Sequence, residues 1–338
     1  MPNPIITAWT AISPYGYGRA AFTDGVRTRR PVAAPGVVAD FDIEARLGRR
    51  ASPSMDRTSA LAVSTVDLLL TEEGVRTDER TGVALESLAG SNATLFEFTQ
   101  GSVIRRKPHL VNPALLPFSS MNSAAAQCAI WHGLRGPNAT LAAGRATLPT
   151  LVRYVTRLLR ADRASGMVVA GVEEYSEARA LIAPYQGAGE VLGEGCAALF
   201  FAPGNWNRTG LAEVLATRTR LADGEPERAL AATVREAMAA GGAEPHEVWG
   251  LAVSATDAAG YEMEREAVGM RVDRVVSPGQ LIGDTGAAGG AFQVAALLGL
   301  ADGMEDARGR VVLATSVDRT GMVGCVVLRL TGGSEGVN

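Results

Sequence analysis

The chain has 338 residues, against about 150 for an average domain, so two domain-sized units or one larger α/β domain fit its length. Hydrophobic residues make up 47% and charged residues 20%, a balance that excludes disorder, collagen-like repeats and a coiled coil. The 32 basic and 36 acidic side chains leave a net charge of −4, too weak a field to recruit nucleic acid or an anionic membrane.

Lys107 is the only lysine, which excludes a Schiff-base lysine almost anywhere in the chain. Cysteine (Cys128, Cys196, Cys325) and histidine (His109, His132, His246) are equally scarce. No two cysteines are closely spaced, so neither a disulfide framework nor a zinc site of CxxC type is predicted. Scattered thiols suit a reducing compartment. Met1 to Trp9 has no basic region followed by a long apolar one, and no run approaches the about 18 apolar residues of a membrane span. A cytoplasmic location without metal or cofactor is expected.

In chain order, Ile5 to Trp9 reads as a strand that enters a turn at Ser13-Pro14-Tyr15-Gly16. Met55 to Leu70 carries Leu61, Val63, Val66 and Leu69 at helical spacing, and Glu72-Glu73-Gly74 stops it. Val83 to Leu85 is a short apolar strand, and Ala89 to Gln100 reads as a loop or helix entrance facing a cavity. Asn122 to Trp131 is an alanine-rich helix ended by Gly133, and Ala139 to Ala142 is the next strand. A small-residue turn, Ala142-Ala143-Gly144-Arg145, leads into a helix with Pro149 in its first turn and Leu151, Val152, Val155, Leu158 and Leu159 on one face. A charged link and the strands Met167 to Val172 and Cys196 to Phe201 follow.

The same succession returns further on. Gly283 to Gly289 is a turn, Phe292 to Leu300 a helix and Asp302 to Arg310 a charged link, with Val311 to Thr315 and Cys325 to Leu330 as the strands. Two copies of turn, helix, strand and hairpin strand imply an α/β protein of two similarly folded halves, 1–204 and 205–338, with a boundary near Pro203 to Thr209. A shared cavity is expected where such halves meet.

The stretches Ile5 to Gly16, Gly133-Leu134-Arg135-Gly136-Pro137, Ala170-Gly171-Val172-Glu173-Glu174, Gly193-Glu194-Gly195 and Gly286-Ala287-Ala288-Gly289 stand in the order and spacing of one known family. Over nearly its whole length the chain resembles the β-ketoacyl synthases of fatty acid and polyketide synthesis. The resemblance implies a thiolase-like, five-layered αβαβα fold with two duplicated halves. It also implies a cysteine nucleophile at a helix N-terminus, where the dipole lowers the thiol pKa, and two histidines that promote decarboxylation of the extender.

At those positions this chain has Arg145, Thr256 and the Gly283-Asp284-Thr285 turn, so Asp284 stands at the third. Arginine cannot form a thioester. Losing all three groups while keeping the surrounding glycines resembles the chain length factors, the ketosynthase β subunits of type II polyketide synthases, although these usually carry glutamine at the nucleophile position. The resemblance implies a heterodimer with an active ketosynthase that receives chains from an acyl carrier protein. It assigns the tunnel floor to Ala89, Asn92, Leu95, Phe96 and Phe98, and the partner interface to Met121, Gln127, Trp131 and Thr140.

Three readings of Arg145 stay open: a buried pair with Asp284, a phosphate or carboxylate clamp, or a solvent-exposed cation. The competing function is an enzyme with altered chemistry, a malonyl- or acyl-carrier-protein decarboxylase or an acyltransferase that uses Arg145. A homodimeric acyl-binding protein is a third possibility. Cys128 and His132, four apart on one helix, could imitate a catalytic dyad but read as packing residues. Glu173 and Glu174 read as structural carboxylates.

Overall fold

A computed structural model of the chain describes residues 2–49, 55–186, 191–205 and 210–332. Its strands are β1 (Ile5–Ser13), β2 (Gly16–Tyr17), β3 (Thr81–Glu86), β4 (Asn138–Leu141), β5 (Gly166–Glu173), β6 (Gly195–Ala202), β7 (Ala212–Leu221), β8 (Val248–Ala252), β9 (Val275–Val276), β10 (Val311–Val317) and β11 (Met322–Leu330). The helices are α1 (Gly18–Arg27), α2 (Ile43–Leu47), α3 (Arg57–Thr71), α4 (Asn92–Ile104), α5 (Ser123–His132), α6 (Thr147–Arg160), α7 (Glu177–Ile182), α8 (Pro226–Gly241), α9 (Ala258–Ala267), α10 (Pro278–Ile282) and α11 (Gly289–Ala301).

Hydrogen bonding orders the strands β4-β3-β5-β6-β1 and then β7-β11-β10-β8-β9. In the first set β3 runs parallel to β4 and β5, and β6 runs antiparallel to β5 and β1. In the second, β8 runs parallel to β9 and β10, and β11 runs antiparallel to β10 and β7. Read outward from β1 and from β7, the order and directions are the same. The sets touch only where Ile5 and Ile6 pair with Glu213 and Ala212. Of the boundary expected near Pro203 to Thr209, residues 206–209 lie outside the described part.

The layers follow from the two-residue period of buried strands. In β5, Met167 and Val169 join one core while Val168 and Ala170 join another. In β10, Val312 and Ala314 face the first of these cores, and Val311 and Leu313 face a third. α3 and α5 cover one outer face, α8 and α9 the other, and α6 and α11 fill the middle, giving five layers. α11 is apolar all round and buried almost throughout, as a helix between two sheets must be. α6 instead buries Leu148, Leu151, Val152, Val155 and Leu159 and turns Arg153 and Arg157 outward. The two central helices meet closely at Gly290, where any side chain would overlap Leu148.

Of the two readings of Ala89 to Gln100, the helix entrance is the one found: the Ser91 side chain accepts the Thr94 N–H and caps α4. No helix among the described residues is long and apolar enough to cross a membrane.

Candidate functional site

α6 and α11 start on the same side of the central layer, and the turns that precede them carry Arg145 and Asp284. The guanidinium Nη2 of Arg145 donates to Asp284 Oδ2 at 2.8 Å and to Thr256 Oγ1 at 3.3 Å. The pair is largely shielded from solvent, with side-chain exposures of 13% and 10%. Of the three readings of Arg145, the ion pair with Asp284 is the one found, and Arg145, Thr256 and Asp284 meet at one point. A helix N-terminus favours an anion and opposes a cation. A thiolate here would gain from the start of α6. The guanidinium does not, and the Asp284 carboxylate offsets its cost.

The surroundings hold this pair rigidly. Asp284 Oδ1 accepts the Gly286 N–H at 2.8 Å, and Arg319 Nη2 lies 3.6 Å from Asp284 Oδ2. Asp318 Oδ1 accepts the Arg145 backbone N–H at 2.9 Å, while Gly144, at φ +56°, leaves no room for a side chain against Asp318. Arg179, buried behind the turn, donates to the carbonyls of Glu174, Gly193 and Asp284 at 2.9, 2.7 and 2.8 Å. On the Thr256 side, Glu264 accepts from the Ser254 and Thr315 hydroxyls, each at 2.7 Å. Of this bracing, Glu174 and the glycines at 144, 193 and 286 stand in stretches singled out from the sequence, whereas Arg179, Glu264, Asp318 and Arg319 do not. Asp318 and Arg319 reach the site only because the β10–β11 hairpin folds back onto it.

A void of about 10 Å³ remains among Arg145, Thr256, Asp284 and Gln293, room for little more than one water. In front of the pair opens a cavity of about 540 Å³, lined by Leu88, Ala142, Ala143, Arg145, Leu192 and Arg319 among others. None of the five residues expected at the tunnel floor lines it; Leu88, just ahead of them, does. Ala89, Asn92 and Phe98 are half-buried, and Leu95 and Phe96 are exposed on α4. The larger groove of about 1040 Å³ between α8 and α9 shares no residue with this centre.

No thiol or imidazole serves the site. Cys128, Cys196 and Cys325 are buried, and burial pushes the last two up to about 12 and Cys128 well above the ordinary thiol range. His132 bonds the Val63 carbonyl at 3.1 Å and sits among packing groups, as expected of a residue that is no dyad partner. Among the described residues no cluster of three or more His, Cys, Asp or Glu side chains is placed to hold a metal.

Two buried glutamates make the region sensitive to pH. Burial raises Glu173 to about 7 against the pull of Arg179, and raises Glu264 to about 7 against its bonds to Thr315 and Ser254. A carboxyl whose pKa is higher folded than unfolded binds more protons in the native state, so its share of stability is full at low pH. That share falls as pH rises through the window from the ordinary carboxyl value of 4.5 to about 7. Glu173→Gln should flatten the melting temperature across this window by one proton's worth of slope, on the order of 3 kcal/mol in total. A variant whose pH profile runs parallel to wild type there contradicts the assignment.

The surface expected to meet a partner is open in the single chain. β4 lies at the end of the sheet with one edge unpaired. Next to it, α5 exposes Ile130 (74%) and Trp131 (43%), with Met121 also exposed at its entrance. Gln127 and Thr140 are half-buried, and the Thr140 hydroxyl has no partner. α4 has apolar residues on every side, yet only Thr94 is buried.

The β-ketoacyl synthase N-terminal domain pattern matches residues 21–204. The chain belongs to the β-ketoacyl synthase family. It is 38% identical to a chain of the ishigamide ketosynthase/chain length factor, with a TM-score of 0.91 over 98% of this chain and 100% of that one. A β-ketoacyl synthase from Burkholderia phymatum STM815 shares the fold at 17% identity and a TM-score of 0.80, over 98% and 100% of the two chains. The 3-oxoacyl-[acyl-carrier-protein] synthase 2 of Vibrio harveyi is 25% identical over 178 residues, 52% of this chain. That match spans only 43% of the length of the Vibrio protein.

Proposed function

We propose that the chain is a chain length factor, a ketosynthase-like subunit without condensing chemistry that pairs with an active ketosynthase and closes the tunnel for chains carried by an acyl carrier protein. The observation that carries this reading is the Arg145–Asp284 ion pair, which occupies the start of α6 where a condensing enzyme of this family holds its nucleophile. Arginine offers neither a thioester nor a general base, and Thr256 and Asp284 replace the histidines. The open edge of β4 and the apolar faces of α4 and α5 support a partner that continues the sheet and covers both helices. A similar chain occurs in the ishigamide ketosynthase/chain length factor. In this reading Leu95, Phe96 and Phe98 present bulk at the end of the partner's tunnel.

A decarboxylase or acyltransferase built on Arg145 has less support. The guanidinium is engaged by Asp284, and the void behind it holds no substrate group.

Co-expression with an active ketosynthase from the same source tests the pairing. Tagged chain should bring down the ketosynthase in a one-to-one complex. A soluble monomer that never co-purifies with it contradicts the reading.

A further inference from the structure

The candidate floor side chains have little packing of their own, although Gly90, Ser91 and Thr94 beside them are buried. Leu88 to Ala93 carries small residues and a turn at Gly90 (φ +71°), and of the five candidate floor residues none is buried. What holds the segment is the pair of carboxylates at the end of β5. Side chains alternate along an extended strand end, so Glu173 and Glu174 point to opposite sides and reach the segment at two places. Glu173 Oε1 accepts the Leu88 N–H at 2.5 Å, while its second oxygen is buried without a partner. Glu174 Oε1 accepts the Ala93 N–H at 2.9 Å, and the Ser91 hydroxyl lies 3.2 and 3.3 Å from its two oxygens. Ser91 in turn caps α4 by accepting the Thr94 N–H at 3.1 Å. Arg179 ties the Glu174 carbonyl to that of Asp284, linking the carboxylates to the Arg145 centre.

We propose that Glu173 and Glu174 are positioning residues for chain-length control, fixing Leu88 and the start of α4 so that Phe96 stands at a set depth. This rests on the chain length factor reading above and adds the residues that set the depth of its stop. A floor residue on a helix whose first turn is loose yields to a longer acyl chain; one on a tethered helix excludes it. Glu174 supplies the acceptor for two donors at that first turn, and each buried bond of this charged kind is stronger than a neutral one.

The test uses the pair reconstituted with its ketosynthase, acyl carrier protein and malonyl and starter donors, and reads the distribution of product lengths together with the mass of the intact pair. Glu174→Ala should raise the ratio of longer to wild-type-length product about tenfold, the discrimination one or two methylenes carry in an apolar pocket. Ser91→Ala should shift the ratio in the same direction but less. Glu174→Gln keeps an acceptor for the Ala93 N–H and should restore the wild-type pattern, which a role in stability alone does not predict for product length. Unchanged products in Glu174→Ala and Ser91→Ala, with the pair intact and Phe96→Ala shifting the length, would overturn the positioning role and leave the gate standing. If Phe96→Ala is silent as well, the gate falls and the positioning role with it. If Glu174→Ala cannot assemble, Ser91→Ala decides, and a wild-type distribution from it overturns the proposal.

Discussion

Trp131→Asp should separate the two subunits, with a loss of affinity of about 30- to 1000-fold, corresponding to about 2–4 kcal/mol for a buried aromatic anchor at an interface. The size of the effect follows from where the residue stands. α5 buries Ala124, Ala125 and Cys128 against β3 and α3, so its inner face is already spent on the chain's own core. Ile130 and Trp131 are on the remaining face, beside the unpaired edge of β4. A strand edge alone gives a partner no specificity, because any strand can pair with it. In the proposed pair, the adjacent indole and isoleucine would supply the apolar area that selects one partner and register. An aspartate at position 131 places an unpaired charge in that patch without touching the buried side of α5, so the isolated subunit should still fold. Sedimentation or native mass spectrometry of the purified pair reads the outcome, and a variant that pairs like wild type removes α5 from the interface.

Arg145→Ala should destabilise the chain by about 3 kcal/mol, because it removes one partner of a nearly buried ion pair and leaves the other charged. Asp284 keeps the Gly286 N–H, with Arg319 3.6 Å away, while the 2.8 Å contact to Asp284 and the 3.3 Å contact to Thr256 are lost. Arg145→Ala combined with Asp284→Ala should cost less than the sum of the two single changes by about 1–3 kcal/mol, since both remove the same interaction. Denaturant titration of the four proteins measures this. Additive losses would mean that Arg145 and Asp284 hold separate structures, and that the pair is not what fills the site.

The sequence made the central layers legible because their periodicity is strong. The apolar stripe of α6 repeats at helical spacing, and β5 and β6 are continuous short apolar runs that can only be buried strands. The glycine-rich turn at 283–289 marked the start of α11 within a few residues. α4 was legible only as a loop or helix entrance because its apolar residues fall on every side and produce no stripe. The one local signal was Ser91 followed by Thr94, a cap that reads clearly only once the helix is known. β7 and β8 were missed: the outer end of β7 is exposed and rich in arginine, whereas β8 is a buried run no shorter than strands that were read, such as β4.

At the site, Arg145, Thr256 and Asp284 were found through their place in a family pattern. Asp318, Arg319 and Arg179 were not, since nothing local marks them. The contacts that bring them to the site span 173 residues for Asp318, 105 for Arg179 to Asp284 and more than thirty for Arg319, and only the tertiary fold makes them. The expected floor residues show the same limit. The sequence placed bulk at Leu95, Phe96 and Phe98, but the carboxylates that tether their helix lie more than 80 residues on, at the end of another strand.

The most direct measurement of the central claim is the mass of each subunit after the reconstituted pair is incubated with acyl-loaded carrier protein and quenched in acid. The partner ketosynthase should carry one acyl group in thioester linkage, and this chain, with Arg145 at the nucleophile position and its thiols buried, should remain at its unmodified mass. An acyl adduct on this chain, or turnover of malonyl- or acyl-carrier protein by this chain alone that Arg145→Ala abolishes, would contradict the account.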